Sequence, residues 1–150
     1  KYDDAEKCLK NAIRFKSDMK EAHNDLVMVL RKKGDNKTAL KICNHALKSH
    51  GNDDTLHRNK GNILYALDKP EEALESFENA LDLNPYVVDT WVNKGTVLWK
   101  AMGNREDALA AFDKALEINP NFMGAVDSRI SLEAEIKANR PSFFKRFFGG

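Results

Sequence analysis

Apolar residues recur along the chain at helical spacing, in stretches separated by short turns of Gly, Asn, Asp and Pro. In one clear stretch, residues 73–83, apolar side chains follow the i, i+3, i+4, i+7 spacing that places them on one face of a helix. This stretch begins after Pro70 and ends before Pro85, where proline favours a helix boundary. Residues 55–67 form another such stretch directly before it. The pattern predicts two antiparallel helices joined by a tight turn.

This pair of helices is one unit of an internal repeat, with a period of 34 residues that lengthens once to 35 within residues 100–104. The recurring positions are Ala5, Ala39, Ala73 and Ala108; Ala12, Ala46, Ala80 and Ala115; Leu9, Cys43, Phe77 and Phe112; Gly61 and Gly95; and Pro85 and Pro120. Small alanines allow two helix backbones to approach closely. Because such a unit buries its apolar face only against its neighbours, the sequence predicts an all-α solenoid of antiparallel helix pairs, with about eight helices.

A helical hairpin with Gly, Ala, aromatic and Pro residues at these offsets resembles the tetratricopeptide repeat (TPR) family. The matching positions are Gly61, Ala73, Phe77, Ala80 and Pro85, and then Trp91, Gly95, Ala108, Phe112, Ala115 and Pro120. The resemblance implies a TPR superhelix over residues 1–138. Its expected parts are the second helix of a truncated repeat at 1–16, full repeats at 20–53, 54–87 and 88–122, and a capping helix at 123–138, before a tail at 139–150.

The first full unit departs most from the family pattern. His23 and His57 stand where the family often has Trp, which only Trp91 supplies here, and Gly51 stands at a proline position. We expect both histidines to occupy packing positions and the unit to fold as a repeat.

The two ends of the array raise different expectations. On the first helix, an apolar face is expected to point at a missing partner helix, which predicts that the chain is a fragment and that it self-associates through this face. On the capping helix, four apolar residues are expected to face back along the stack. The expected face of the first helix consists of Ala5, Leu9, Ala12 and Ile13, and that of the capping helix consists of Ala125, Val126, Ile130 and Ala134.

The tail is predicted to leave the stack at Pro141, because proline ends the preceding helix. Its phenylalanine pairs flank Lys145 and Arg146, and the four residues are Phe143, Phe144, Phe147 and Phe148. Three alternatives stay open. The tail docks on an apolar surface of the same or a neighbouring molecule, it makes weak contact with an anionic membrane surface, or it does neither.

Charge and cysteine content narrow the class of protein. The 24 basic and 23 acidic residues give a net charge of +1, which argues against a dedicated nucleic-acid binder. Cys8 and Cys43 lack the spacing of metal ligands and are typical of reduced thiols. Since no apolar run reaches the roughly 18 residues of a membrane span and no signal peptide is recognisable, we expect a cytoplasmic location.

Residues with catalytic chemistry do not gather into a recognisable set. His23 and His57 fall on packing positions, and the spacing of His45 and His50 is poor for chelation from one helix face. The Walker pattern of phosphate-binding loops is missing. We therefore expect no enzyme, no cofactor and no metal site.

In the TPR family, the first helix of each unit lines a concave groove, so the resemblance implies a set of groove residues in this chain. They are Asn24, Asp25, Met28, Arg58, Asn59, Asn62, Tyr65, Val92, Asn93, Thr96 and Trp99. Amides in such a groove can bond the main chain of a bound peptide, and aromatic residues can anchor it. The leading prediction is a scaffold for a protein or peptide partner. The alternative is an oligomerisation or membrane-tethering module that uses the tail and the first helix.

Part of this set resembles the carboxylate clamp with which some TPR proteins hold the acidic C-terminus of heat-shock chaperones. Arg58, Asn62 and Asn93 match three of its positions. The other two positions are normally basic but carry Gly124 and Ser128. Because most of the positive charge is missing, we do not expect chaperone-tail binding.

Overall fold

A computed structural model of the chain describes residues 2–15 and 20–139, except for the side chain of Phe15. Within these ranges the chain forms eight α-helices and no strand. They are α1 (Tyr2–Phe15), α2 (Lys20–Lys32), α3 (Asn36–Ser49), α4 (Asp54–Ala66), α5 (Pro70–Leu83), α6 (Val88–Lys100), α7 (Arg105–Ile118) and α8 (Met123–Ala138). The predicted all-α solenoid is confirmed. None of these helices is both long and apolar enough to cross a membrane.

Short polar side chains fix where several helices begin. Asp35, Asp53 and Asn104 precede α3, α4 and α7, and each accepts a hydrogen bond from the backbone N–H three residues later. Such caps satisfy donors that have no partner within the helix. Helix α5 begins instead with Pro70, which has no N–H to satisfy.

The packing order of the helices curves the stack. Each helix packs against the next one along the chain, and α2, α4, α6 and α8 also contact one another in sequence. Within the described ranges, α3, α5 and α7 make no such contacts among themselves. The first helices of the units are therefore closer together than the second helices, so α2, α4, α6 and α8 form the concave side.

The core of each unit lies between its two helices. In the second and third full units, Phe77 and Phe112 are completely buried against Gly61 and Gly95. A Cβ atom built on either glycine would lie 2.6 Å from Cε1 of the facing ring, closer than real contacts allow. These glycines are therefore required for the close approach of the ring to the helix backbone.

His23 and His57 stand at the repeat position of Trp91, and each contacts its surroundings in a different way. Trp91 Nε1 donates a hydrogen bond to the backbone oxygen of Pro85 at 2.8 Å. His57 Nε2 lies 2.9 Å from the oxygen of Gly51, six residues earlier just as Pro85 is, so its Nε2–H tautomer makes the same bond. His23 is 2 % exposed. His23 is thus buried at a packing position, whereas His57 is half-buried and contacts the turn through its ring nitrogen.

The apolar faces predicted for the two ends need correction. Leu9 and Ile13 pack against the hydrophobic cluster of α2, α3 and α4, so α1 uses them to bind its successor. On α8, Ala125 is buried as expected, but Ile130 is 58 % exposed and Ala134 is also exposed.

The physical reason on α8 is its register in the repeat. Ile130 stands at the position of Gly61 and Gly95, on the face that packs against the second helix of a unit. No such helix follows α8 within the described residues. The side that packs against the stack instead presents Leu132, which is fully buried, and Ile136.

Candidate binding groove

Helices α2, α4 and α6 each present three residues at i, i+4 and i+7, which lie on one helix face. These sets recur every 34 residues: Asn24, Met28 and Arg31 on α2; Arg58, Asn62 and Tyr65 on α4; and Val92, Thr96 and Trp99 on α6. Together they run across the concave side of the stack. Met28 and Tyr65 are the most open of the large apolar members, at 45 % and 37 % exposed.

Asparagine amides connect the neighbouring first helices. Asn59 Nδ2 donates to Asn24 Oδ1 at 3.1 Å, and Asn93 Nδ2 donates to Asn62 Oδ1 at 3.0 Å. Asn59 is only 4 % exposed, so this predicted groove residue links α4 to α2 and is shielded from a partner. The Nδ2 group of Asn62 has no partner within the described residues and remains a donor on the groove.

Trp99 is held in place by the capping helix. Its Nε1 donates to Glu135 Oε2 at 2.7 Å, and Lys100 Nζ lies 3.1 Å from the ring centroid. Arg105 also bonds Glu135, and this bond, followed by that of Trp99, lowers the pKa of the Glu135 carboxyl group. The indole is half-buried and its N–H is used, so Trp99 offers a partner only part of its ring.

The polar residues of α6 are similarly occupied. Thr96 Oγ1 donates to the backbone oxygen of Val92 at 2.8 Å, a bond within the helix. Tyr65 differs from Thr96 and Trp99, since its hydroxyl group forms no hydrogen bond with the described residues. The open polar and aromatic groups of the groove therefore concentrate on α2 and α4.

Arg31 is a groove residue that the sequence reasoning missed. It precedes Tyr65 and Trp99 by one and two full periods, and this spacing is the signal that could have found it. Its side chain is half-buried beside an open cavity of about 340 Å³ that is also lined by Met28 and Lys32. Burial, followed by the nearby positive charge of Arg58, lowers the pKa of the Arg31 guanidinium group.

The clamp-like positions at the other end of the groove carry no cation. Gly124 is exposed, and Ser128 Oγ donates to the Gly124 backbone oxygen at 2.7 Å. The neighbouring Arg129 is paired with Asp113 of α7 at 2.6 Å and with Glu133 at 3.0 Å. Positive charge on the groove is thus found at its α2–α4 end.

The four phenylalanines of the tail, Phe143, Phe144, Phe147 and Phe148, lie outside the described residues. Their docking role stays a prediction.

The curved stack of helix pairs, with its groove on the first helices, defines this chain as a helical repeat protein. Family models described as tetratricopeptide repeat match residues 55–86 and 88–122. These matches show that the chain contains tetratricopeptide repeats. A search of curated proteins finds no match.

Solved structures share this architecture. A crystal structure of MamA is 19% identical with a TM-score of 0.81, and the match covers 91% of this chain and 79% of MamA. YrrB, described as a TPR protein with an unusual peptide-binding site, is 28% identical with a TM-score of 0.76, covering 85% of this chain and 66% of YrrB. The first TPR domain of human RPAP3 is 18% identical with a TM-score of 0.75, covering 80% and 94% of the two chains.

Proposed function

We propose that this chain is a non-enzymatic scaffold that binds an extended or helical segment of a partner protein in the groove of α2, α4 and α6. The observation that carries this proposal is the cluster of open groups on α2 and α4. Met28 and Tyr65 are exposed large side chains, and Asn62 keeps a free amide donor between them. The peptide-binding site named for the similar YrrB structure supports the same use of the fold.

The groove residues have distinct roles in this proposal. Tyr65 and Met28 bury apolar surface of the bound segment, and the amide of Asn62 bonds its main chain. Trp99 contributes part of its ring, while Asn24, Asn59 and Asn93 mainly hold the first helices in register. The surface also includes Asp25, Val92, Thr96 and Arg58.

We also propose a cytosolic location, because Cys8 and Cys43 form no disulfide with each other.

Selection from a library of random peptides tests the proposal without a known partner. We expect enriched peptides that bind the wild-type chain and lose about tenfold or more in affinity with Tyr65→Ala, since a central aromatic anchor typically carries much of the binding energy. Trp99→Ala should weaken binding less, because its indole already bonds Glu135. Isothermal titration with each folded variant measures both effects.

Tyr86→Ala is the matched control. Tyr86 is 76 % exposed but lies in the turn between α5 and α6, away from the groove. Its removal should leave peptide affinity unchanged. Equal affinities for wild type and Tyr65→Ala would contradict the groove assignment.

A second candidate function is self-association or weak membrane tethering through the tail and an exposed apolar face. The observation that favours it is on α8, where Met123 is 64 % exposed and Ile130 is 58 % exposed. Deletion of residues 141–150 should then lower the mass in solution or the binding to anionic liposomes. A groove binder without this second function would show neither change.

A further inference from the structure

The capping helix α8 leaves one apolar face open along most of its length. Its apolar side chains recur at helical spacing and share one side of the helix; they are Met123, Val126, Ile130 and Ala134. Met123 and Ile130 are exposed, and Ile130 stands where the second and third full units have the glycine that packs against their second helix. Within the described residues, no second helix follows α8 to cover this side.

Two carboxylates border this face. Asp127 precedes Ile130 by three residues and Glu133 follows it by three, so each lies about 60° around the helix from Ile130, on opposite edges. Glu133 pairs with Arg129 at 3.0 Å, whereas Asp127 forms no hydrogen bond or ion pair with the described residues. An occupant that fits this face therefore combines apolar groups with basic groups at both edges.

The sequence that follows α8 has this combination. Two phenylalanine pairs, at 143–144 and 147–148, enclose Lys145 and Arg146. At 100° per residue, both pairs fall on one side of a helix, and the two basic residues border that side at opposite edges. The tail thus has the charge and apolar pattern that complements the open face of α8.

The spacing from proline is the same in the tail and in a complete unit. Pro70 opens α5 four residues after the end of α4, and the fully buried Phe77 follows Pro70 by seven residues. Pro141 comes three residues after the end of α8, and Phe148 follows it by the same seven residues. The sequence after α8 therefore carries the proline and aromatic positions with which α5 begins and covers α4.

The tail is also long enough to reach the face. Eight residues separate Ile130 from Ala138 at the end of α8, which is a rise of about 12 Å. Nine residues separate Ala138 from Phe147, and such a segment spans up to about 30 Å when extended. A phenylalanine of the tail can therefore lie beside Ile130 while α8 keeps its length.

We propose that residues 141–150 fold back on α8 and cover its open face, in the place that a second helix takes in the full units. The phenylalanine pairs pack on the apolar line, and Lys145 and Arg146 lie near its two carboxylates. Because Ile130 replaces the glycine of the second and third units, the tail packs at a wider distance than α5 or α7 does. This proposal does not depend on the groove function, and it gives the exposed face of α8 an occupant within the same chain.

Methyl NMR on the full chain with labelled isoleucines tests this placement. We expect nuclear Overhauser contacts between the Ile130 methyl groups and aromatic protons of the tail. The variant Phe143→Ser/Phe144→Ser/Phe147→Ser/Phe148→Ser should lose these contacts, and the Ile130 signal should move downfield because the ring currents are removed. Contacts from Phe122, the residue before α8, would persist in this variant and are thereby told apart from those of the tail.

Tyr86→Ser is the matched control, since it removes an exposed aromatic residue in the turn before α6. It should leave the contacts of Ile130 unchanged. The methyl signal of Ile63, which is buried in the hydrophobic cluster of α2, α3 and α4, should stay in place in both variants and so report an intact fold.

A mixed sample separates the tail of the same chain from the tail of a second copy. The labelled serine variant, mixed with an equal amount of unlabelled wild-type chain, should show no tail contact at Ile130. Recovery of the contacts in this mixture would overturn docking within one chain and assign the face to a second copy. A wild-type chain without tail contacts at Ile130, including one whose tail binds only phosphatidylserine vesicles, would also overturn the proposal.

Discussion

In the second and third full repeats, a glycine on the first helix faces a phenylalanine on the second, whereas the first full repeat has Val27 and Cys43 at the equivalent positions. Both pairs are buried, and Val27 and Cys43 are each 0 % exposed. A larger residue on one helix is therefore matched by a smaller one on the other. The difference teaches that the two positions vary together, since the space between the helices must stay filled.

Cys43 acts as a small apolar residue in this arrangement. Its thiol donates to the backbone oxygen of Leu56 at 3.2 Å. Burial raises the pKa of the thiol to about 12, so it stays protonated and unreactive at neutral pH. The departure of the first repeat from the family pattern is thus a change of packing with no sign of redox chemistry.

The largest expected effect comes from truncating the buried side chain at this position of the second helix, which is Phe77 in the second repeat and Cys43 in the first. Phe77→Ala should lower the free energy of unfolding by about 3–5 kcal/mol, because it removes a fully buried ring and leaves a cavity. Cys43→Ala should lower it by only about 1 kcal/mol, since one sulfur atom and a weak hydrogen bond are lost. Urea unfolding measures both. Equal losses at the two positions would contradict the view that the glycine–phenylalanine pair and the valine–cysteine pair are alternative ways to fill the same space between the helices.

A smaller effect is expected from placing the valine of the first repeat into the second. Gly61→Val should destabilise the fold by about 1–3 kcal/mol, because its Cβ would meet the Phe77 ring at 2.6 Å. Adding Phe77→Cys recreates the pair of the first repeat and should restore part of the loss. Gly51→Ala is the control, since its Cβ would lie at an ordinary 3.4 Å from the nearest atom. If the double variant loses more free energy of unfolding than the two single variants lose together, the two substitutions do not compensate each other.

The turn before each first helix provides a further comparison. His57→Phe and Trp91→Phe each remove a ring hydrogen bond to a turn carbonyl group, and each should lower stability by about 1 kcal/mol. His57→Trp should retain the bond and the stability. If only Trp91→Phe lowers the thermal midpoint, the two residues do not share a role.

The smallest effect concerns the ion pairs that Glu6 of α1 forms with Lys10 of the same helix and with Lys33, the residue after α2. Hydrogen bonds from Lys10 and then Lys33 lower the pKa of Glu6 from 4.5 to about 2. Because the folded-state pKa is below the unfolded one, this contribution is present above pH 4.5 and is lost as the pH falls toward 2. The difference in urea midpoint between wild type and Lys33→Ala should shrink over this interval. A constant difference would argue against the ionic origin.

The fold could be predicted from the sequence because its repeat imposes the same packing pattern several times. The spacing of the alanines and of Phe77 and Phe112 was enough to place the helices, and Arg31 carried the same register signal. The burial of Asn59 and the hydrogen bond from Trp99 to Glu135 could not be predicted from the sequence, since both depend on how neighbouring helices are placed. The expectation for Ile130 was wrong because this residue stands at the register position of Gly61 and Gly95, which faces the second helix of a unit and not the neighbouring unit of the stack.

The central claim is that the concave side of α2, α4 and α6 holds a segment of another protein. Amide NMR of the labelled chain, titrated with a peptide selected as above, tests it most directly. The account predicts the largest shift changes at Met28, Asn62 and Tyr65 and little change along the outer faces of α3, α5 and α7. Changes confined to those outer faces, with the groove signals unmoved, would contradict it.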